Sequence, residues 1–292
     1  MDVSALGFGG AEIGFEGAKI EDVSRLLNTA LDTGLNVIDT AECYIGGNVS
    51  SEDLIGRAVG HRRKDFFLFT KCGHAAGIAE PEWSRALLEK SITRSLQRLR
   101  TDHLDLIQLH SCSEETLRKG EVIEVLQRAK QKGQSRYIGY SGDGRAALYA
   151  VQCGAFDSLQ TSINVADQES IELTIPEARK RGMGVIAKRP IANASWRTGD
   201  TPFTGYGAVY WQRLQKLRYD FLKKNMSEAV SIALRFTLAV EGVCTAIVGT
   251  KNPDRWRANA ELLADGPLPK ERFDTIRARW KSVAGKDWGG ET

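Results

Sequence analysis

Three apolar runs near the start of this chain each end on a side chain that can hold charge. Val37-Ile38 runs into Asp39, Phe66-Phe67-Leu68-Phe69-Thr70 into Lys71, and Leu104-Asp105-Leu106-Ile107-Gln108-Leu109 into His110; Tyr44 follows Asp39 in a loop. A buried strand has no structural need for such residues. Their recurrence at strand ends points to one rim on which the four side chains meet. A phenol with an ordinary pKa of about 10 donates protons poorly at neutral pH. A nearby ammonium favours the phenolate, so Lys71 is expected to bring the Tyr44 hydroxyl down toward the working range. Asp39 would pair with Lys71 and hold it in place, and His110 could hydrogen-bond a substrate oxygen and orient it. Such a group moves a proton on and off an oxygen attached to carbon. It carries no hydride, so redox chemistry there requires a nicotinamide cofactor.

The elements that position these groups alternate strictly. Strands are expected at 3–8, 35–39, 66–70, 104–110, 136–140, 157–161, 184–188 and 244–248. Between them fall helical patterns: Val23, Leu26, Leu27, Ala30 and Leu31 recur at i, i+3, i+4, i+7 and i+8. Further helices are expected at 51–59, at 82–99 behind Pro81, at 115–131, 143–152, 169–181 and 227–240, and finally at 254–263 and 270–282. Most strands are continuously apolar, which means burial on both faces, as in a parallel sheet covered by helices. Eight such units in 292 residues define an α/β fold, a single-domain (β/α)8 TIM barrel spanning 1–292. A doubly wound open sheet is the competitor, but no GxGxxG follows the first strand. One long βα loop, at about 189–224, carries Trp196, Phe203, Tyr206, Tyr210 and Trp211. In a barrel it would lie over the active-site face.

Composition narrows the class of function. Net charge is only +3, too mild for a nucleic-acid footprint without a clustered basic stripe. No apolar run is long enough to span a bilayer, and no secretory signal pattern opens the chain. The five cysteines form no CxxC pair, so neither a disulfide framework nor a zinc ribbon is indicated, and reduced thiols fit the cytoplasm. His61, His74, His103 and His110 form no HxH or HxxxH pair, so no metal site is expected.

With the four rim residues in order at strand ends, the chain resembles an aldo-keto reductase from its first strand to about Asn259. Asp39 lies in Asn-Val-Ile-Asp-Thr-Ala, Lys71 in Phe-Thr-Lys, and His110 in Asp-Leu-Ile-Gln-Leu-His. The resemblance implies hydride transfer between NAD(P)H and a carbonyl carbon, with Tyr44 as general acid in reduction and base in oxidation. It further implies that Ser141 and Gln160 bind the nicotinamide carboxamide. The family usually has asparagine after that serine and an aromatic ring on strand seven; this chain has Gly142 and Lys188-Arg189, cations expected near the pyrophosphate. At the last strand, Gly249-Thr250-Lys251-Asn252-Pro253-Asp254-Arg255 and Asn259 resemble the adenosine-phosphate segment. There Asn252 and Pro253 would open a helix whose N-terminus attracts anions. Arg255 could grip a 2′-phosphate, which favours NADP, while glycine at 249, where many relatives carry lysine, keeps NAD as the alternative.

The expected partner is a small-molecule carbonyl or alcohol substrate, with no nucleic acid and no membrane, in a monomer or weak homo-oligomer. Two other classes compete: a nicotinamide-binding regulatory subunit that turns over slowly on the same barrel, and a metal-dependent barrel hydrolase, which would need clustered ligands.

Overall fold

Eight parallel strands close on themselves in the computed structural model, which describes residues 1–291. In chain order they are β1 (Leu6–Gly9), β2 (Val37–Asp39), β3 (Phe67–Cys72), β4 (Leu104–His110), β5 (Ser135–Ser141), β6 (Ser158–Ser162), β7 (Gly184–Lys188) and β8 (Val243–Val248). Each pairs with its neighbour in sequence, and β1 closes the ring against β8 with Leu6 opposite Ala246 and Phe8 opposite Val248. The expected (β/α)8 barrel is the fold the chain adopts.

Alternation along each strand sorts the side chains into two cores. Val37, Phe69, Leu106, Ile186 and Ile247 cluster inside the barrel. Their neighbours Ile38, Leu68, Ile107, Val185 and Ala246 belong to a larger cluster shared with the surrounding helices. This two-sided burial is why most of the strands read as near-continuous apolar runs. It also means that Asp39, Lys71 and His110, two residues beyond Val37 and Phe69 and four beyond Leu106, fall on the inward-facing phase.

Several expected boundaries shift for local reasons. The first strand begins at Leu6 rather than Val3. The helix placed behind Pro81 begins at Arg85, because Ser84 caps it by accepting from the Leu87 amide at 3.2 Å. The single helix expected at 115–131 is two helices, Glu114–Lys119 and Glu121–Gln131, broken at Gly120, whose φ of 82° has no place inside a helix.

Residues 189–224 are not one irregular loop: they contain a helix, Ala208–Leu217, between 3-10 segments Ala192–Thr198 and Asp220–Lys223. Trp196 and Tyr210 are buried there with Tyr219, Phe221, Trp280 and Trp288 in a third apolar cluster, whereas Tyr206 is exposed. Among the described residues no helix is long and apolar enough to cross a membrane.

Candidate active site

The ends of β2, β3 and β4 bring the four rim residues together. Lys71 Nζ, buried at the end of β3, donates to Asp39 Oδ1 at 2.5 Å and to the Thr40 carbonyl at 2.8 Å. Its third contact is the Tyr44 hydroxyl at 3.4 Å. The His110 and Tyr44 rings meet edge to face with centroids 5.7 Å apart. Tyr44 is placed from both sides: its amide donates to the Ala41 carbonyl and its own carbonyl accepts from the Ser51 amide. A small hairpin, Ile45–Gly46 against Val49–Ser50, follows it directly. Behind it runs the helix Ala11–Phe15, where a Cβ on Gly14 would lie 2.2 Å from the Tyr44 carbonyl oxygen. Only glycine permits that approach.

The electrostatics depart from the sequence expectation in one respect. Burial alone would lower the Lys71 ammonium, but the Asp39 carboxylate and the Tyr44 phenol outweigh it and hold Lys71 above its usual range. Lys71 is therefore a standing cation. Yet Tyr44 is raised, not lowered: crowding by protein outweighs the pull of Lys71, and Asp39 adds to the rise. The phenol keeps part of its surface open, but the ammonium's charge is largely matched by a carboxylate closer to it than the hydroxyl is. His110 is pushed well below the ordinary imidazole range, by burial first and then by Lys71 and His74, so its ring is neutral.

The site also holds residues that the sequence reading did not assign. Gln108 Nε2 lies 3.4 Å from Asp39 Oδ2; it precedes His110 by two and so shares its inward phase, a signal that was available. Cys43 Sγ sits 3.4 Å from His110 Nδ1. His74 meets His110 at 5.3 Å and Trp83 at 5.5 Å, both edge to face. Cys43 is marked by its place directly before Tyr44, whereas nothing local marks His74 or Trp83. Cys72, by contrast, alternates away from Lys71 and is buried with its thiol directed at the Gln108 carbonyl.

Ser141 and Gln160 are adjacent in register and joined at 2.9 Å, Oγ to Oε1. Gln160 Nε2 donates in turn to Asp39 Oδ2 at 2.9 Å, tying β6 to the quartet. Lys188 has a mostly buried side chain, paired with Asp143 at 2.8 Å. Its own pKa is lowered by burial against the opposing pull of Asp143. Arg189 donates to Ser162 Oγ at 3.0 Å and also reaches the Glu291 carbonyl and the Tyr206 hydroxyl. That contact belongs to a segment the sequence reading overlooked: Gly290 donates to Glu169 at 2.7 Å, Glu291 to Asp167 at 3.1 Å, and Arg213 to the Gly289 carbonyl at 2.8 Å.

At the end of β8, Gly249 lies close to Gly9, where a Cβ would meet the Gly9 carbonyl oxygen at 3.1 Å. Thr250 Oγ1 accepts from the Asn252 amide at 3.1 Å. Asn252 caps the helix Pro253–Glu261 through the Asp254 amide at 2.9 Å, with Pro253 in its first turn, as the residue types required. Arg255 is exposed on that first turn and Asn259 is buried on the inner face, while Lys251 pairs with Glu16 at 2.5 Å. Two shallow depressions, one bounded by Arg63, Arg100 and Asp102 and one by Ile78, Lys90 and Arg94, hold none of these groups.

A closed parallel barrel thus gathers a carboxylate, an ammonium and a neutral imidazole at three strand ends, with a phenol on the loop between the first two. The chain belongs to the Aldo/keto reductase family, whose model matches residues 5–281. It is 26% identical over 299 residues to an uncharacterised oxidoreductase of Bacillus subtilis (strain 168), a match spanning 96% of this chain and 94% of the relative. Identity to an L-galactose dehydrogenase of Arabidopsis thaliana is 26% over 305 residues, 99% of this chain and 94% of that one. Among solved structures, the holo form of an aldo-keto reductase from Bacillus halodurans superposes with a TM-score of 0.81 at 26% identity, covering 98% of this chain and 95% of its own.

Proposed function

We propose that the protein reduces aldehydes or ketones to alcohols, or runs the reverse reaction, using NADP(H), with NAD(H) as the alternative. The observation that carries this reading is the position of Lys71 Nζ, 2.5 Å from Asp39 and 3.4 Å from the Tyr44 hydroxyl. In reduction Tyr44 gives its proton to the oxygen of the substrate, and in oxidation it takes one back. A neutral phenol suffices as donor, because an alkoxide forming beside it is far more basic than a phenolate. Lys71, held charged by Asp39, stabilises the phenolate left behind. His110, neutral, offers a ring N–H to the carbonyl oxygen and fixes its orientation.

The nicotinamide cofactor supplies the hydride when bound. The donor set fits such a group: exposed Arg255 and Lys251 flank a capped helix N-terminus, and Arg189 stands at the end of β7. In this reading Arg255, Lys251 and the Gly249–Thr250 backbone hold the adenosine phosphates, with Asn259 behind them. Lys188 and Arg189 serve the pyrophosphate, and Ser141 with Gln160 takes the carboxamide. Gln160 Nε2 has a second N–H beyond the one given to Asp39.

The test is a titration with NADPH and NADH, read by fluorescence of the six tryptophans, followed by turnover on aldehydes, ketones and sugars. Binding with turnover is expected. No binding of either nucleotide defeats the proposal, and tight binding without turnover on any carbonyl transfers the protein to the regulatory class.

A further inference from the structure

His110 depends on one polar neighbour outside the quartet. Its Nδ1 lies 3.4 Å from Cys43 Sγ, and among the described residues no other hydrogen bond reaches the ring. Two aromatic rings meet it edge-on, Tyr44 at 5.7 Å and His74 at 5.3 Å between centroids. A neutral imidazole carries one proton, and the partner of one nitrogen decides which of the two holds it. Two arrangements satisfy the contact. Either the thiol donates to Nδ1 and the proton sits on Nε2, or the sulfur accepts from Nδ1–H and Nε2 is a bare lone pair.

The chemistry separates them. A carbonyl oxygen offers only lone pairs, so a histidine that orients it must present an N–H, and with Nδ1 engaged by sulfur that N–H must be at Nε2. The thiol is able to play its part. Burial pushes Cys43 up to about 11, so it retains the proton it has to donate. The burial that lowers His110 keeps the ring in the singly protonated state, where a choice of tautomer exists. We infer that Cys43 is a positioning residue for carbonyl reduction: its S–H locks His110 in the tautomer whose Nε2–H binds the substrate oxygen. This inference rests on the carbonyl-reductase reading above.

Nitrogen-15 spectra of histidine-labelled, full-length protein report the tautomer of each ring directly, with His110 assigned by its loss in a His110→Gln chain. Wild type and Cys43→Ser, which keeps a donor at the same place, should show His110 protonated at Nε2. Cys43→Ala should show a mixture, or protonation at Nδ1. In parallel, kcat/KM for carbonyl reduction should fall about tenfold in Cys43→Ala, the scale of one lost hydrogen bond. It should return to within about twofold of wild type in Cys43→Ser, with NADPH affinity equal in all three. A wild-type ring protonated at Nδ1 overturns the inference, as does a Cys43→Ala chain with unchanged tautomer and unchanged kcat/KM. Should wild type reduce no carbonyl at all, the functional reading falls, while the nitrogen spectra still decide whether Cys43 sets the tautomer.

Discussion

Replacing Tyr44 by phenylalanine separates what the hydroxyl does for the fold from what it does for the reaction. The only hydrogen-bond partner of that hydroxyl among the described residues is Lys71, at 3.4 Å, a long contact. Lys71 keeps its two shorter bonds, to Asp39 at 2.5 Å and to the Thr40 carbonyl at 2.8 Å. The ring itself stays in place between Phe15 and His110. Losing one marginal hydrogen bond costs about 1 kcal/mol or less, a fall in Tm of a few degrees at most. Removing a general acid costs a factor of ~10²–10⁴ in rate, roughly 3–5 kcal/mol of barrier. The effect on catalysis should therefore exceed the effect on stability severalfold. Steady-state oxidation of NADPH with a broad aldehyde, thermal unfolding, and nucleotide titration by tryptophan fluorescence together read all three quantities. The expected result is near-absent turnover with Tm and NADPH affinity almost unmoved. Turnover within about threefold of wild type would refute the assignment and move the proton donor to His110 or water.

Lys71→Met strands the Asp39 carboxylate in the barrel with, among the described residues, only the Gln160 and Gln108 side chains for partners, so urea unfolding should show a loss of about 3–5 kcal/mol; a loss below about 1 kcal/mol would mean the pair is not held as described. The direction of the Tyr44 shift sets a pH profile. Reduction needs the phenol, and burial raises it above the ordinary value, so kcat/KM for reduction should stay flat through neutral pH and fall only above about pH 10. Alcohol oxidation, which needs the phenolate, should rise toward the same limb. A falling limb for reduction below about pH 8 would contradict the burial argument. Finally, Gly14→Ala places a methyl 2.2 Å from the Tyr44 carbonyl oxygen, so it should cost about 1–3 kcal/mol of stability. It should also lower kcat/KM far more than NADPH affinity; equal activity would show that the hairpin yields without moving Tyr44.

Much of this site could be read from the chain, because the relevant signals are local. Most strands buried on both faces are near-continuous apolar runs, so Asp39, Lys71 and His110 stood out as the residues that ended three of them. Alternation then put them on one phase, and closure of a barrel requires that phase to converge. Asn252 and Pro253 marked a helix start for an equally local reason, the unpaired amides of a first turn.

Other features arise only when distant segments meet. Tyr44 was expected to be acidified, since sequence shows that an ammonium is near but not how deeply the phenol is packed or that Asp39 claims most of the charge. Ser141 and Gln160 proved to be linked to Asp39, 121 residues from Gln160. The Arg189 contact with Glu291 spans 102 residues, and no pattern within either stretch announces it. Of the aromatics of 189–224, Trp196 and Tyr210 enter a third core with residues as distant as Trp280 and Trp288, while Tyr206 faces solvent. Periodicity and residue type are properties of neighbours along the chain. Desolvation and hydrogen-bond partnership are properties of neighbours in space, and the proton affinities of this site depend on the second kind.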